Sequence, residues 1–434
     1  MRHDPQRGFP GWCGVSVDSH RRRRVVITGL GVVSAIGVGK EAYWNSLLGG
    51  RSGVQRIDAF DVSSSPCQVA GQVRNFDPVD YMPAQLARRI DRFAQFALAA
   101  AQLAVEDGNL QIAQERPEKI GVVLGTSVGT LCYAEQQIAL FYEKGAARIN
   151  PFFATSVIPS SATTQILLNF KIKGPSQTIT TACASSTWAV GTGLQSVRDG
   201  ITDIVLVGGS EAPITPLVLS TLSSLHLLSA NNGSAGASFS PFSKEASGFV
   251  LGEGAGILVL EELGHALRRG AKIYAEVLGF GCSSDAYHLM FFDPAYERPA
   301  AAIRSALEEA RLGADEVGYV NAHGIALRES DRGETCIFKK AFGEVAYQIP
   351  ISATKPLTGH TLGASGALEL IACCLMMEHG YLHPTINFRE SDPLCDLNYL
   401  PNVGIRRSVD AMVSVSFGFG GYNAACVIRK CDGR

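Results

Sequence analysis

The chain has 434 residues, 46% of them hydrophobic and 18% charged, which is enough apolar material for a large packed core. Its formal net charge of −2 gives no overall pull toward nucleic acid, and no run of about 18 uncharged apolar residues is present to cross a bilayer. Eleven cysteines without C-x-x-C and nine histidines without H-E-x-x-H support neither a disulfide framework nor a metal site, so the thiols read as reduced and cytoplasmic.

Residues 1–24, ending in Arg21-Arg22-Arg23-Arg24, read as a loose polar extension without the apolar run of a secretory signal. Val25 to Ile27 is a β-branched run, expected to form a buried strand that breaks into a turn at Gly29-Leu30-Gly31. A dinucleotide fingerprint would need glycine where Ser34 stands, so the turn reads as tight backbone only. A helix is expected over Arg92 to Leu103, a strand over Gly121 to Gly125, a small-residue buried helix over Ala182 to Leu194 and a strand over Ile204 to Gly208.

The second half repeats the rhythm. A strand is expected from Lys272 to Gly281, an amphipathic helix from Arg298 to Leu312, a strand from Gly318 to Asn321, a helix from Gly363 to Met377 and a strand from Met412 to Phe417. Alternating short strands and helices predict an α/β fold with mostly parallel sheets. Gly29-Leu30-Gly31 and Gly279-Phe280-Gly281 open the two halves alike, a hint of duplication.

Thr180-Thr181-Ala182-Cys183-Ala184-Ser185-Ser186 is the densest chemical signal: a polar strand end, a cysteine, then very small residues. At a helix N-terminus the dipole and free N–H groups would favour the Cys183 thiolate, the form that attacks thioesters. On that segment alone, a buried structural cysteine is as good a reading. His323 follows a short strand in Asn321-Ala322-His323-Gly324, and His360 sits in Thr358-Gly359-His360-Thr361, a glycine-bracketed turn before a helix. A core histidine is the default for either alone, but two at strand-to-helix junctions in polar turns point to a site.

With these residues in place, the chain resembles the β-ketoacyl-acyl-carrier-protein synthases of the elongating, Cys-His-His kind, from about Val25 to the C-terminus. The likeness also covers Gly248-Phe249-Val250-Leu251-Gly252-Glu253-Gly254-Ala255-Gly256, Ser283-Ser284-Asp285-Ala286-Tyr287-His288, Ser352-Ala353-Thr354-Lys355 and Phe417-Gly418-Phe419-Gly420-Gly421. The resemblance implies a thiolase-like fold, two similar α/β halves (25–271 and 272–434) in five αβαβα layers, normally as a homodimer. It implies that Cys183 takes an acyl chain from a carrier protein's pantetheine arm, and that malonyl-carrier protein then loses CO2 to give the attacking enolate. His323 and His360 would stabilise that enolate. Backbone N–H groups of Cys183 and Phe419 would hold the second oxyanion, with Phe419 as gate beside Phe417. Lys355 would set charge and geometry with Glu369, and Gly420, Gly421 and Asn423 would support the loop. No metal or free cofactor is expected, because phosphopantetheine arrives on the carrier.

Three departures stand out. Ile325 and Leu327 occupy positions where the family usually has threonines that bind the arm, removing about two hydrogen bonds of roughly 1 kcal/mol each. The segment Ala237 to Phe242 lacks a usual arginine, and Ser247 replaces a usual acid. Docking of an acidic carrier would then rest on Arg88, Arg89 and Arg92, and the changes lean toward a specialised pathway. Phe291 to Glu297 is a candidate entrance segment with no assigned chemistry. The rival readings are a chain-length partner subunit in a heterodimer with a synthase, a thiolase-like acyltransferase on coenzyme A, and an acyl hydrolase. Cys183 argues against the first and the histidine pair against the second.

Overall fold

The computed structural model describes residues 22–431. The extension read over 1–24 therefore lies outside the described residues up to position 21, and its last three residues belong to the fold. Arg22, Arg23 and Arg24 reach Glu309, Asp203 and Glu276 at 3.3, 2.7 and 2.6 Å. These three arginines clasp three separate places in the fold.

The first half contributes strands β1 (Val25–Ser34), β2 (Ile120–Gly125), β3 (Ser176–Ile179), β4 (Ile204–Glu211) and β5 (Gly254–Glu262). The second contributes β6 (Ala275–Ser284), β7 (Tyr319–Asn321), β8 (Ile351–Ser352), β9 (Ala411–Gly418) and β10 (Tyr422–Arg429). Their order is β3-β2-β4-β5-β1-β6-β10-β9-β7-β8, which mirrors itself about the β1–β6 junction. Within each half, the two inner pairings are antiparallel and the two outer ones parallel. The sheets are thus mixed, not mostly parallel. Short apolar runs look alike in either pairing, and β9 turns back into β10 through Phe419-Gly420-Gly421, a connection too short for a parallel crossover.

Glycine shows the duplication at atomic scale. Residues 29–31 form no turn; β1 runs straight through them. A Cβ on Gly29 or Gly31 would lie 2.2 or 1.8 Å from the carbonyl oxygens of Ala104 and Ala100, on helix α1 (Arg92–Asp107). In β6, a Cβ on Gly279 or Gly281 would lie 2.1 or 2.0 Å from those of Ala306 and Ala302, on the later helix Glu297–Ala310. The same glycine pair in each half lets a helix with alanines four residues apart settle onto its strand. Gly31→Ala is expected to cost about 1–3 kcal/mol through overpacking, read as a lower urea midpoint with an unchanged slope.

Between the sheets, helix α2 (Ser185–Arg198) packs against helix Ser365–His379; numbered in chain order, Glu297–Ala310 is α3, Arg328–Phe342 is α4 and Ser365–His379 is α5. With α1 outside the first sheet and α3 outside the second, the layers run αβαβα. The window Leu362–His379 is apolar enough to resemble a membrane span but is 89% buried in this central layer. Small residues allow the close approach: a Cβ on Gly366 would lie 2.0 Å from Thr187 Oγ1.

Just past the end of β5, on the short helix Leu263–Arg268, His265 bridges two carboxylates, with Nδ1 2.6 Å from Glu261 and Nε2 3.0 Å from Glu115. Burial pulls its pKa down, but the bonds to Glu261 and Glu115 outweigh it and raise the pKa. The group's stabilising contribution is therefore full below its unfolded value of about 6.5 and is lost as pH rises through the higher folded value. The stability gap between wild type and His265→Gln is expected to shrink with rising pH above about 6.5, as followed by urea melts across that range.

Candidate active site

Ala182, at φ 49°, turns the chain sharply between β3 and α2, placing Cys183 two residues ahead of the helix. Ser185 locks the turn: its Oγ accepts from the Thr181 N–H at 2.9 Å and donates to the Ala182 carbonyl at 2.6 Å. Only glycine fits at 418, where a Cβ would lie 2.8 Å from the Thr181 carbonyl and 3.2 Å from the Cys183 nitrogen.

His323 follows β7 and is held through its backbone. Its N–H and that of Gly324 donate to the Glu334 carboxylate at 2.6 and 2.8 Å. Asp331, one turn earlier on α4, accepts from the Phe242 N–H at 2.8 Å and faces the N–H groups of Ile325 and Ala326. Burial pushes Glu334 up to about 7. His360 is pinned by the Gly248–Gly256 segment: its N–H donates to Val250 at 2.7 Å, and its carbonyl accepts from Gly252 at 2.9 Å.

These turns bring three side chains together. His360 Nε2 lies 3.2 Å from Cys183 Sγ, and the His323 ring stands edge-on to His360 with centroids 5.5 Å apart. Lys355 Nζ donates to the His323 carbonyl at 2.5 Å and to Glu369 at 2.6 Å, and stands 3.3 Å from His323 Nδ1. Glu369 is sealed inside with the lysine. Phe417 packs its ring 5.9 Å from His323. Gly420 and Gly421, at φ 86° and 79°, turn the chain after Phe419, and Asn423 anchors that turn by donating to Asp285 at 2.6 Å.

Electrostatics correct one expectation. Cys183 is pushed up to about 12, mainly by burial; Lys355 and the N–H groups of Phe419 and Cys183 oppose this without cancelling it. Cys183 therefore rests as a thiol, because desolvation in an apolar pocket outweighs the helix end. Both histidines are held well below their ordinary value, first by burial and then by Lys355, so they are neutral.

The Lys355–Glu369 pair is closed to solvent. Lys355→Met is expected to destabilise the fold by about 3–5 kcal/mol by leaving a lone buried carboxylate. The double variant with Glu369→Leu should recover most of that loss in denaturant melts.

One cavity opens onto this cluster, and a second adjoins the first across Ile325, Phe417 and Phe419. One, of about 330 Å³, is almost wholly apolar and runs from Cys183, His323 and His360 past Val128, Leu131, Val218 and Leu222. The other, of about 570 Å³, is more polar and runs outward past Asp285, His288, Phe291, Leu327 and Arg328. Ile325, Phe417 and Phe419 border both. The candidate entrance segment is therefore part of the wall, through Phe291, Phe292, Pro294 and Tyr296.

Of the docking candidates, Arg88 and Arg89 are exposed, with Arg89 stacked over Phe152. Arg92 is engaged: it grips Glu253 at 2.8 and 3.1 Å and the Val73 carbonyl at 2.7 Å. Sequence reasoning passed over Asp331, Glu334, Ser365 and Glu211. The last is buried at the end of β4 and holds the loop bearing Ser127 and Val128, accepting from Thr126 Oγ1 at 2.9 Å and the Val128 N–H at 3.2 Å. Its signal was the acid ending Gly208-Gly209-Ser210-Glu211, a carboxylate where a strand enters a glycine-rich site.

Family models for the β-ketoacyl synthase N-terminal and C-terminal domains match residues 22–266 and 274–389. The chain belongs to the β-ketoacyl synthase family. This β-ketoacyl synthase is 40% identical to the tetracenomycin polyketide synthase ketoacyl synthase alpha subunit of Streptomyces glaucescens, over 95% of this chain and 98% of that one. It is also 40% identical to 3-oxoacyl-[acyl-carrier-protein] synthase 2 of Synechocystis, over 94% and 98%. Among solved structures, the ishigamide ketosynthase/chain length factor matches with a TM-score of 0.89 at 34% identity, over 95% of this chain and all of that one. A type II polyketide acyl-carrier protein in complex with its hexaketide-bound ketosynthase matches with 0.87 at 35%, over the same shares. These ketosynthase neighbours carry the thiolase fold expected from the sequence.

Proposed function

We propose that this β-ketoacyl synthase is an acyltransferase of the 3-oxoacyl-[acyl-carrier-protein] synthase type, extending an acyl chain held on Cys183 by decarboxylative condensation with malonyl-carrier protein. The observation that carries the residue assignment is the contact of 3.2 Å between His360 Nε2 and Cys183 Sγ, with His323 alongside, on the wall of the apolar cavity. The apolar cavity takes the acyl chain, and the outer one takes the pantetheine arm of the carrier.

Thioester exchange loads the sulfur: its proton leaves, Sγ bonds to the acyl carbon, and the donor thiol departs carrying a proton. Malonyl thioester then occupies the outer cavity, and its C–C bond to the carboxylate breaks, releasing CO2. The electron pair becomes an enolate, whose oxygen takes hydrogen bonds from neutral His323 and His360 in a dry site. The enolate carbon attacks the acyl carbonyl. The oxyanion formed sits where the N–H groups of Cys183 and Phe419 already face the sulfur. Collapse expels the Cys183 thiolate, which takes up one proton from solvent to return to the thiol, and leaves a β-ketoacyl thioester on the carrier. Lys355 contributes charge and position, fixed by Glu369.

The cofactor chemistry is that of the carrier's phosphopantetheine, with no free cofactor. We place the protein in the cytoplasm, dividing at 25–271 and 272–434, and pairing as a homodimer. A face bearing Ile138, Phe141 and Tyr142, exposed by 53%, 43% and 81%, supports pairing. A paralogue is the alternative occupant of that face, and Arg88 and Arg89 are the basic side chains offered to the acidic carrier.

Intact mass after incubation with acyl-carrier proteins of several chain lengths tests the reading. An adduct absent from Cys183→Ala and converted to β-ketoacyl product only with malonyl-carrier protein supports it. Absence of any adduct with every donor would overturn it in favour of a partner subunit.

A further inference from the structure

Ser365 opens α5, is 3% exposed, and points its hydroxyl at the far side of the His360 ring, with Oγ 3.0 Å from Nδ1. The Thr361 hydroxyl stands 3.1 Å behind it. Nδ1 therefore meets a hydroxyl that can donate or accept and that has a second hydroxyl in reach, not a fixed backbone donor or a carboxylate.

That ambivalence matters because the two half-reactions ask opposite things of Nε2. During loading, the thiol proton must leave Sγ, and the base 3.2 Å away is His360 Nε2. This requires a lone pair on Nε2 and hence N–H at Nδ1. During decarboxylation, Nε2 must instead carry the proton it shares with the enolate oxygen, leaving the lone pair on Nδ1. A partner that only accepts would favour the first state, and one that only donates the second.

Resting on the condensation reading above, we propose that Ser365 is a positioning residue that supports both His360 tautomers, accepting from Nδ1–H during acyl loading and donating to Nδ1 during decarboxylation. In loading, the Cys183 proton passes to Nε2, Sγ bonds to the acyl carbon, the bond to the donor sulfur breaks, and the Nε2 proton goes to the departing thiolate. The ring then exchanges tautomer with no net change in protons, and Ser365 rotates about its Cα–Cβ bond to follow. Thr361 complements whichever role Ser365 leaves unfilled, as acceptor when Ser365 donates to it or donor when Ser365 accepts. The neutrality of His360, held by burial and Lys355, keeps both tautomers in play.

The test measures two rates separately on wild type, Ser365→Ala, Ser365→Cys and Ser365→Thr. Acyl loading of Cys183 is followed by mass with the donor that loads the wild type. CO2 release from malonyl-carrier protein is measured without acyl donor. Loss of one buried neutral hydrogen bond predicts that S365A and S365C each slow both reactions about fivefold to tenfold, with unchanged KM, while S365T keeps both. Recovery of both rates in S365T, which keeps the hydroxyl while changing the packing, is an outcome that loosened packing in S365A would not produce. If only one reaction slows, Ser365 serves a single tautomer and the proposal fails. It fails equally if both rates match wild type, or if S365T slows as much as S365A. A wild type that neither loads nor releases CO2 would instead sink the condensation reading itself.

Discussion

Cys183→Ala is expected to lower condensation by more than about 10⁴-fold, because the proposed nucleophile belongs to a unit that fails as a whole. The same variant should still release CO2 from malonyl-carrier protein. The alanine removes the sulfur but leaves His323 held by Lys355 and His360 held by Val250 and Gly252, so the groups proposed to meet the enolate stay in place. Mass spectrometry should find no acyl adduct, and a CO2 assay should find activity within about tenfold of wild type. Loss of both together would mean that Cys183 is needed to hold the site's shape, and the assignment of separate roles would fall.

That Cys183, His323, His360, Lys355 and the Phe419 turn would come together was legible, because each sits in a short stretch whose glycines and small residues are demanded by backbone geometry. Gly418 allows β9 to pass the Cys183 turn, and Gly359 sits at φ 75° ahead of His360. What escaped notice acts across long sequence separations through ordinary side chains. Glu334 and Asp331 lie on a helix whose amphipathic pattern is unremarkable, and only the folded chain shows them facing the backbone of residues 323–326. The protonation state of Cys183 was misread for a related reason. A helix end is visible in sequence, whereas the depth of burial that opposes it depends on residues from Val128 to Phe419.

Glycine pairs hinted at duplication, but the meaning of that hint changed. At 29–31 and 279–281 the absent Cβ makes room for a helix carbonyl, not for a turn. Strand β5, reading Gly254-Ala255-Gly256-Ile257-Leu258-Val259, and β10 were not assigned from sequence. These antiparallel strands are what make each sheet mixed. Leu327 and Ile325 line the outer cavity with Phe291 and Phe292, so the wall is apolar where hydroxyls were expected. An arm lying there gains contact with hydrocarbon in place of two hydrogen bonds, which shifts the balance of binding without touching the reacting atoms.

His323→Ala should show the converse of the cysteine variant. Removing one donor to a developing oxyanion costs about 10²–10³-fold, so CO2 release and condensation should both fall by that factor. Acyl loading should survive within about tenfold, because the base adjoining the sulfur is His360, at 3.2 Å, and His323 is not in that contact. The variant also frees Lys355 from the ring nitrogen 3.3 Å away while preserving its bonds to the residue-323 carbonyl and to Glu369, so the lysine keeps its place. Stability should therefore drop by no more than the loss of a buried side chain, about 2–5 kcal/mol. An adduct that still forms on Cys183 but is not extended would separate the two half-reactions onto two histidines. A variant that failed to load would instead join both histidines to the first step, since the thiol then needs the pair and not His360 alone to lose its proton.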